Sequence, residues 1–306
     1  MRLAIFGATS QIAKDLMLSM SAHGCHDLTL FARRPEVVTQ WLASMNFPGR
    51  YTVADFTTFG ADASFDAVIN FVGVGDPARA VAMGAAIFDV TLKYDEMALA
   101  HVLRHPDCRY LFLSSGAAYG SAFEKPVDES ACATIPINSL QPQDWYGAAK
   151  LHAECRHRAL AHLSITDIRI FNYFSRTQDM AARFFVTDIM RAIQGRYPLS
   201  VTPANIVRDY LHPADFHQLV ERILGASPSN QALDAYSKAP IDKFALLNEM
   251  KNRFALQFTI DGAEFPGATG QKPNYYSLDR RAGRLGYLPT RTSLDCIHEE
   301  VQAILC

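Results

Sequence analysis

The chain has 306 residues, 49% apolar and 20% charged, which excludes disorder, a collagen-like repeat and a disulfide mini-scaffold. At roughly 150 residues per domain it could hold two cores or one large α/β unit with a smaller lobe. Its 29 basic residues against 31 acidic ones give a net charge of −2, so no basic field points to nucleic acid or an anionic membrane. A small soluble ligand is the expected partner.

In chain order, Leu3 to Phe6 is a short apolar run closed by Gly7, and Ile12, Ala13, Leu16, Met17 and Met20 then recur at helical spacing. Strand, tight turn and helix are expected. Further strands are predicted at Leu28 to Phe31, Tyr51 to Ala54, Ala67 to Val72, Tyr110 to Leu113 and Ile165 to Phe171, with one long helix from Pro77 to Arg104 and another from Asp144 to His162. This alternation predicts an α/β fold, a Rossmann-type doubly wound parallel sheet covered on both faces. Beyond Asn172 the pattern loosens into helices at Met180 to Gln194, after Pro213 and from Ser293 to Leu305, with a Gly/Pro-rich loop from Gly262 to Pro273. The expected division is a dinucleotide-binding domain over 1–172 with a return segment near 207–237. A smaller α/β C-terminal substrate lobe then takes 173–206 and 238–306.

Cys25, Cys108, Cys132, Cys155, Cys296 and Cys306 are scattered without metal-site or framework spacing, so incidental thiols in a reducing compartment are expected. No apolar run approaches the roughly 18 residues of a membrane span, and the N-terminal apolar stretch is too short for a signal peptide. A cytoplasmic protein is the expectation. His101 with His105, and His152 with Glu154 and His157, lack a third ligand at suitable spacing; they read as solvated helix faces, and no metal is expected. Trp41 and Trp145 read as packing residues, Trp145 perched beside any site at Tyr146.

Three motifs carry chemistry. Gly7-Ala8-Thr9-Ser10-Gln11-Ile12-Ala13 keeps only the first glycine of a dinucleotide fingerprint; it fits either an ordinary strand-to-helix turn or a helix N-terminus that receives a pyrophosphate. After the second strand, Arg33 and Arg34 stand where an acidic residue would bind the ribose of NAD. Two guanidinium groups suit the 2′-phosphate of NADP, although a solvated basic turn would look the same. The strongest motif is Tyr146-Gly147-Ala148-Ala149-Lys150, downstream of Leu113-Ser114-Ser115 at a strand end. Positions four apart share a helical face, so Lys150 can favour the phenolate of Tyr146 and lower its pKa, with Ser115 bonding the same substrate oxygen.

These segments, with Ala54-Asp55-Phe56, Ser115 to Gly120, Arg169 to Asn172 and Arg208 to His212, resemble the extended short-chain dehydrogenase/reductases, the NAD(P)-dependent epimerase/dehydratase family that acts largely on nucleotide-linked sugars. The resemblance covers nearly the whole chain. It implies hydride exchange with a nicotinamide, Tyr146 as acid/base, Lys150 holding the ribose, and Ser115 polarising the substrate oxygen. It implies cofactor contacts from Gly7, Thr9, Ser10, Gln11, Ile12, Arg33, Arg34, Asp55, Phe56, Phe71, Val72, Gly73, Tyr146, Lys150 and Phe171. Substrate contacts would come from Ser115, Gly116, Asn172, Arg208 and Lys272, the last equally readable as a solvated lysine. Family members commonly pair through two long helices, so a homodimer is expected.

The chain departs from the family at Ser10, Ala13, Asp89-Val90 and Phe174-Ser175. Gly116-Ala117 replaces the Asp-Glu pair of sugar 4,6-dehydratases, which disfavours dehydration. With Arg33 and Arg34, these features favour an NADPH-dependent reductase of a keto (or aldehyde-level) sugar on a nucleoside diphosphate, with NAD(H) possible. The alternative is an NAD-dependent nucleotide-sugar 4-epimerase, and a non-catalytic dinucleotide sensor is a third reading.

Overall fold

A computed structural model describes residues 1–24, 26–60, 64–121, 123–261 and 272–305. The first half alternates strands and helices except that β4 follows β3 without an intervening α-helix and two helices separate β4 from β5: β1 (Arg2–Phe6), α1 (Gln11–His23), β2 (Asp27–Phe31), α2 (Pro35–Ser44), β3 (Arg50–Ala54), β4 (Ala67–Asn70), α3 (Pro77–Met83), α4 (Ala86–Arg104), β5 (Arg109–Ser115), α5 (Trp145–Ala159) and β6 (Ile165–Ile170). There follow β7 (Asn172–Tyr173), α6 (Phe185–Gly195), β8 (Leu199–Val201), β9 (Val207–Arg208), β10 (Tyr210–Leu211), α7 (Pro213–Gly225) and β11 (Gln231–Asp234). The chain closes with β12 (Ile241–Asp242), α8 (Lys243–Phe254), β13 (Phe258–Ile260), β14 (Asn274–Tyr275) and α9 (Ser293–Leu305).

Seven strands form one sheet in the order β11-β6-β5-β4-β1-β2-β3, all neighbours parallel. Parallel strands need both faces covered, which is why Leu3, Ala4, Ile5 and Phe6 are all buried. One apolar layer packs α1, α2 and α7 on the sheet through Leu16, Met17, Leu42, Phe216 and Ile223. The other packs α4 and α5 through Tyr94, Ala98, Val102 and Ala153. A separate apolar cluster joins α6, α8 and α9 through Ile189, Met190, Leu246, Met250 and Ile297, beside the small sheets β10-β7, β12-β9-β14 and β13-β8.

The expected helix from Pro77 to Arg104 is two helices. Gly84, at φ 58° and ψ −140°, takes a backbone conformation that only glycine adopts readily, and the chain turns there between α3 and α4. The expected strand to Val72 ends at Asn70, whose side chain accepts from Val72 N at 2.9 Å and bends the backbone out of the sheet. The helix expected from Met180 begins at Phe185. Residues 262–271, most of the Gly/Pro-rich loop, and Cys25 and Cys306 lie outside the described residues. Cys108 and Cys296 are buried free thiols, Cys132 and Cys155 exposed ones.

The histidines also depart from expectation. His101, Glu154 and His157 are buried, while His152 is exposed. The two ring nitrogens of His157 meet Asp167 at 2.6 Å and Asp95 at 2.7 Å, between α4, α5 and β6, while Arg156 and Arg158 bind the outer carboxylate oxygens at 2.9 and 2.8 Å. Two carboxylates on one ring require the imidazolium. Burial opposes that charge, but Asp167 and Asp95 prevail and raise the His157 pKa to about 9.

Truncating this histidine strands two buried carboxylates, so His157→Ala is expected to cost about 3–5 kcal/mol in urea unfolding. The imidazolium stabilises the fold fully below its unfolded pKa of about 6.5, and that contribution is lost as pH rises through about 9. The gap in urea midpoint between wild type and His157→Gln is therefore expected to be widest below pH 6.5 and to narrow toward pH 9; a gap independent of pH would contradict the assignment.

Candidate functional site

The strand order reverses between β1 and β4, where successive crossovers leave to opposite faces and open a crevice at the C-terminal strand ends. The loops that leave β1 and β4 meet there. A Cβ on Gly7 (φ 76°) would stand 3.1 Å from Phe71 C and Val72 N, so only glycine permits this approach. Ser10 caps α1 by accepting from Ala13 N at 3.3 Å, and the Gln11 and Ile12 amides belong to the first turn, where N–H groups have no carbonyl one turn back. These residues fit a dinucleotide pyrophosphate. Gly73 passes within 3.4 Å, measured from its ideal Cβ position, of the Lys150 ammonium.

Arg33 and Arg34 are exposed just beyond β2, and no acidic residue follows that strand until Glu36. Asp55 follows β3, and its carboxylate accepts from Thr57 N at 2.8 Å. Phe56 and Phe71 spend their rings in the core, Phe56 at 5.1 Å from Phe6 and Phe71 at 6.2 Å from Phe216, so only their backbones remain for a ligand. Thr9 is exposed in the β1–α1 turn. Gln11 donates to Ser175 Oγ at 2.9 Å, and Ser175, Thr177 and Tyr173 surround Asp15 on the same helix. The departure at Phe174-Ser175 thus ties α1 to the segment after β7. Asp89 is exposed in the first turn of α4, where a carboxylate suits the helix dipole.

Ser115 ends β5, and Tyr146 and Lys150 lie on one face of α5. The Ser115 hydroxyl lies close enough to the Tyr146 phenol to favour its ionised form. Lys150 Nζ donates to Leu113 O at 2.7 Å and lies 4.3 Å from the Phe112 ring centre and 5.9 Å from that of Tyr146. Helix α5 comes this close because position 147 is glycine: a Cβ there would stand 2.4 Å from Ala117 O.

The expected lowering of the Tyr146 pKa is not found. Burial raises it, and the Ser115 hydroxyl only partly opposes this. Burial also lowers Lys150 to about 8, against the pull of Asp95, Glu154 and Asp167. Both shifts work against a phenolate held by the Lys150 ammonium alone.

Sequence reasoning missed Tyr275. Its hydroxyl lies 3.2 Å from Ser115 Oγ, delivered by β14 from the far end of the chain. Its ring packs on Phe171 (5.2 Å) and Phe123 (4.8 Å), and Phe171 in turn covers Gly116, where a Cβ would stand 2.5 Å from the ring. Phe171 is thus a packing residue, and the acid of a dehydratase pair would not fit at position 116. Lys272 is not a solvated lysine: its ammonium sits 4.8 Å over Tyr275 and 5.4 Å over Phe123, and burial first, then Arg208, lowers its pKa to about 8. Arg208 donates to Lys272 O at 2.7 Å, so two cations come together, and Lys272 also lines a small pocket with Ala117, Thr134, Asp144 and Gly147. Asn172 donates to Asp209 O at 3.3 Å, and Trp145 packs against Gly84.

A model of the NAD dependent epimerase/dehydratase family matches residues 3–236. The chain belongs to this family. A curated relative, the UDP-glucose 4-epimerase of Streptomyces lividans, is 27% identical over 194 residues, covering 57% of this chain and 56% of that protein. The match thus spans about half the relative's length. Among solved structures, UDP-glucose 4-epimerase from Stenotrophomonas maltophila with NAD and formylated UDP-arabinopyranose matches with TM-score 0.82 at 17% identity, covering 100% of this chain and 99% of that one. UDP-glucose 4-epimerase from Bifidobacterium longum with NAD+ and UDP gives 0.78 at 17% identity over 98% and 97%. UDP-glucuronic acid 4-epimerase from Bacillus cereus, with UDP-glucuronic acid and NAD, gives 0.78 at 14% over 100% and 99%. At these identities the likeness concerns the fold.

Gly147→Ala is expected to push α5 off Ala117 and separate Tyr146 from Ser115; displacement near 1 Å costs on the order of 100-fold in turnover. Turnover within twofold of wild type would show that the close approach is dispensable.

Proposed function

We propose that the chain is a nucleotide-sugar 4-epimerase that retains a nicotinamide dinucleotide. The observation that carries this reading is the gathering of the Ser115, Tyr146 and Tyr275 side chains: Ser115 Oγ lies 3.2 Å from the Tyr275 hydroxyl, Tyr146 is close enough to both to act on them electrostatically, and Lys150 stands on the same helix face as Tyr146. Membership of the family and the fold shared with UDP-sugar 4-epimerases support it. The residue pair at 116 and 117 lacks the acids that dehydration needs.

The first turn of α1 would receive the pyrophosphate, Asp55 and the Phe56 backbone the adenine end, and Lys150 the nicotinamide ribose. When bound, the nicotinamide accepts and returns a hydride. To take the proton from the sugar's C4 hydroxyl and give it back, Tyr146 must first be ionised; burial opposes this, the positive charge of an oxidised nicotinamide would favour it, and Ser115 and Tyr275 would hold the substrate oxygen in place. The proton would return to O4 and the hydride to C4 from the opposite face of the sugar, so configuration changes without net redox. Arg208 and Lys272 supply positive charge for the diphosphate.

A second reading, an NADPH-dependent keto-sugar reductase, is favoured by two observations: Arg33 and Arg34 stand exposed beyond β2, and Tyr146 keeps its proton, ready to donate to a carbonyl. Both readings are tested together by following UDP-glucose, UDP-glucuronic acid and a UDP-4-keto-sugar by proton NMR with NADH and NADPH absorbance. Inversion at C4 without net cofactor change, lost by about 100-fold or more in Tyr146→Phe, is the expected result. Consumption of NADPH with the keto-sugar alone would transfer the proposal to the reductase, and Arg33→Ser would then weaken NADPH about tenfold and spare NADH. Because Lys150 is charged below about 8 and neutral above it, kcat/KM is expected to fall as pH rises through that value. A flat profile from pH 7 to 9 would remove the ammonium from the reaction.

A further inference from the structure

The described residues hold a second set of buried polar groups that none of these steps uses. Ser114 donates to Glu154 Oε1 at 2.5 Å, and Glu154, 3% exposed, lies one turn beyond Lys150 on α5. Arg169 of β6 donates from Nε to both Glu154 oxygens at 3.0 Å and from Nη1 to the Tyr119 hydroxyl at 2.7 Å. Tyr119 donates to Asp234 at 3.1 Å, and Asp234, at the end of β11, also accepts from Ser277 Oγ at 2.6 Å. Ser277 is 1% exposed and accepts from Asp279 N at 2.9 Å. It lies two residues beyond Tyr275, the residue whose phenol meets Ser115.

The bonds therefore close on themselves. They leave the main chain at Ser114, run through α5, β6 and β11 to the 274–279 segment, and return through Tyr275 to Ser115, the neighbour of Ser114. Main-chain bonds also hold the segment: β14 pairs with β9 over two residues, Asn274 N donates to Phe123 O at 3.0 Å, Val127 N to Tyr276 O at 3.2 Å and Leu278 N to Val127 O at 2.7 Å, but none of them reaches the Tyr275 ring or its hydroxyl. A buried carboxylate that loses a donor bears the desolvation penalty in full, so the ring has one favourable arrangement instead of a continuum.

We propose that Tyr119, Asp234 and Ser277 are positioning residues that hold the 274–279 segment so that the Tyr275 hydroxyl stays on Ser115. The kinetic consequence rests on the epimerase reading, but the structural one does not. Two readouts on the full-length chain separate them. Hydrogen exchange followed by mass spectrometry is expected to speed up by roughly tenfold in Ser277→Ala at both 274–279 and 114–118, and to return to wild type in Ser277→Thr. Tyr119→Phe, which breaks the ring at another link without deleting volume, should reproduce the pattern. Faster exchange confined to 277–279 would overturn the proposal.

In turnover of UDP-glucose, Ser277→Ala is expected to raise KM roughly fivefold with kcat within about twofold, and to add nothing once Tyr275 is phenylalanine. Additive effects of Ser277→Ala and Tyr275→Phe would also overturn it. Failure of wild type to turn over any nucleotide sugar would sink the epimerase reading and leave the exchange result to decide this one.

Discussion

The site depends on the burial of one polar helix face. Along α5, Tyr146, Lys150, Glu154 and His157 point inward together, and each ionisable group removed from water must find a compensating partner or change its charge state. Lys150 finds Leu113 O and gives up its proton more readily, Glu154 finds Arg169 and Ser114, and His157 finds two carboxylates that favour its cation. The partners come from α4, β5 and β6. Satisfying the helix therefore fixes how those elements sit around it, and Ser115, at the end of β5, is carried into place as a consequence.

Small residues set the distances that this arrangement needs. Gly147 brings α5 onto the carbonyl of Ala117, Gly116 makes room for Phe171, and Gly7 lets the β1–α1 turn touch the backbone at Phe71 and Val72. Phe171 then passes the contact to Tyr275, which closes the cleft over Ser115. The cofactor side and the substrate side are thus built from the same few close approaches.

Much of this was legible in one dimension. The parallel sheet followed from short buried runs alternating with amphipathic stretches, because both signals are local. The proximity of Tyr146 and Lys150 followed from helical spacing, and the absence of the dehydratase acids from two adjacent letters. Local patterns failed where a remote residue decided the outcome: the helix break at Gly84 hides within good helix formers, and Lys272 reads as solvated until Phe123 and Tyr275 are folded over it.

What the sequence determined by itself was the sheet class, the four-residue spacing of Tyr146 and Lys150 and the basic pair at Arg33 and Arg34, each carried by residues within a few positions of one another. What only the tertiary structure decided was the state of the ionisable groups and the presence of Tyr275. A pKa depends on how much water burial removes and on which charges approach through space. Lys150 shifts to about 8, and the Tyr146 phenol is pushed up, because strands and helices tens of residues away bury them. Tyr275 reaches Ser115 across 160 positions of chain, a contact for which no local periodicity exists.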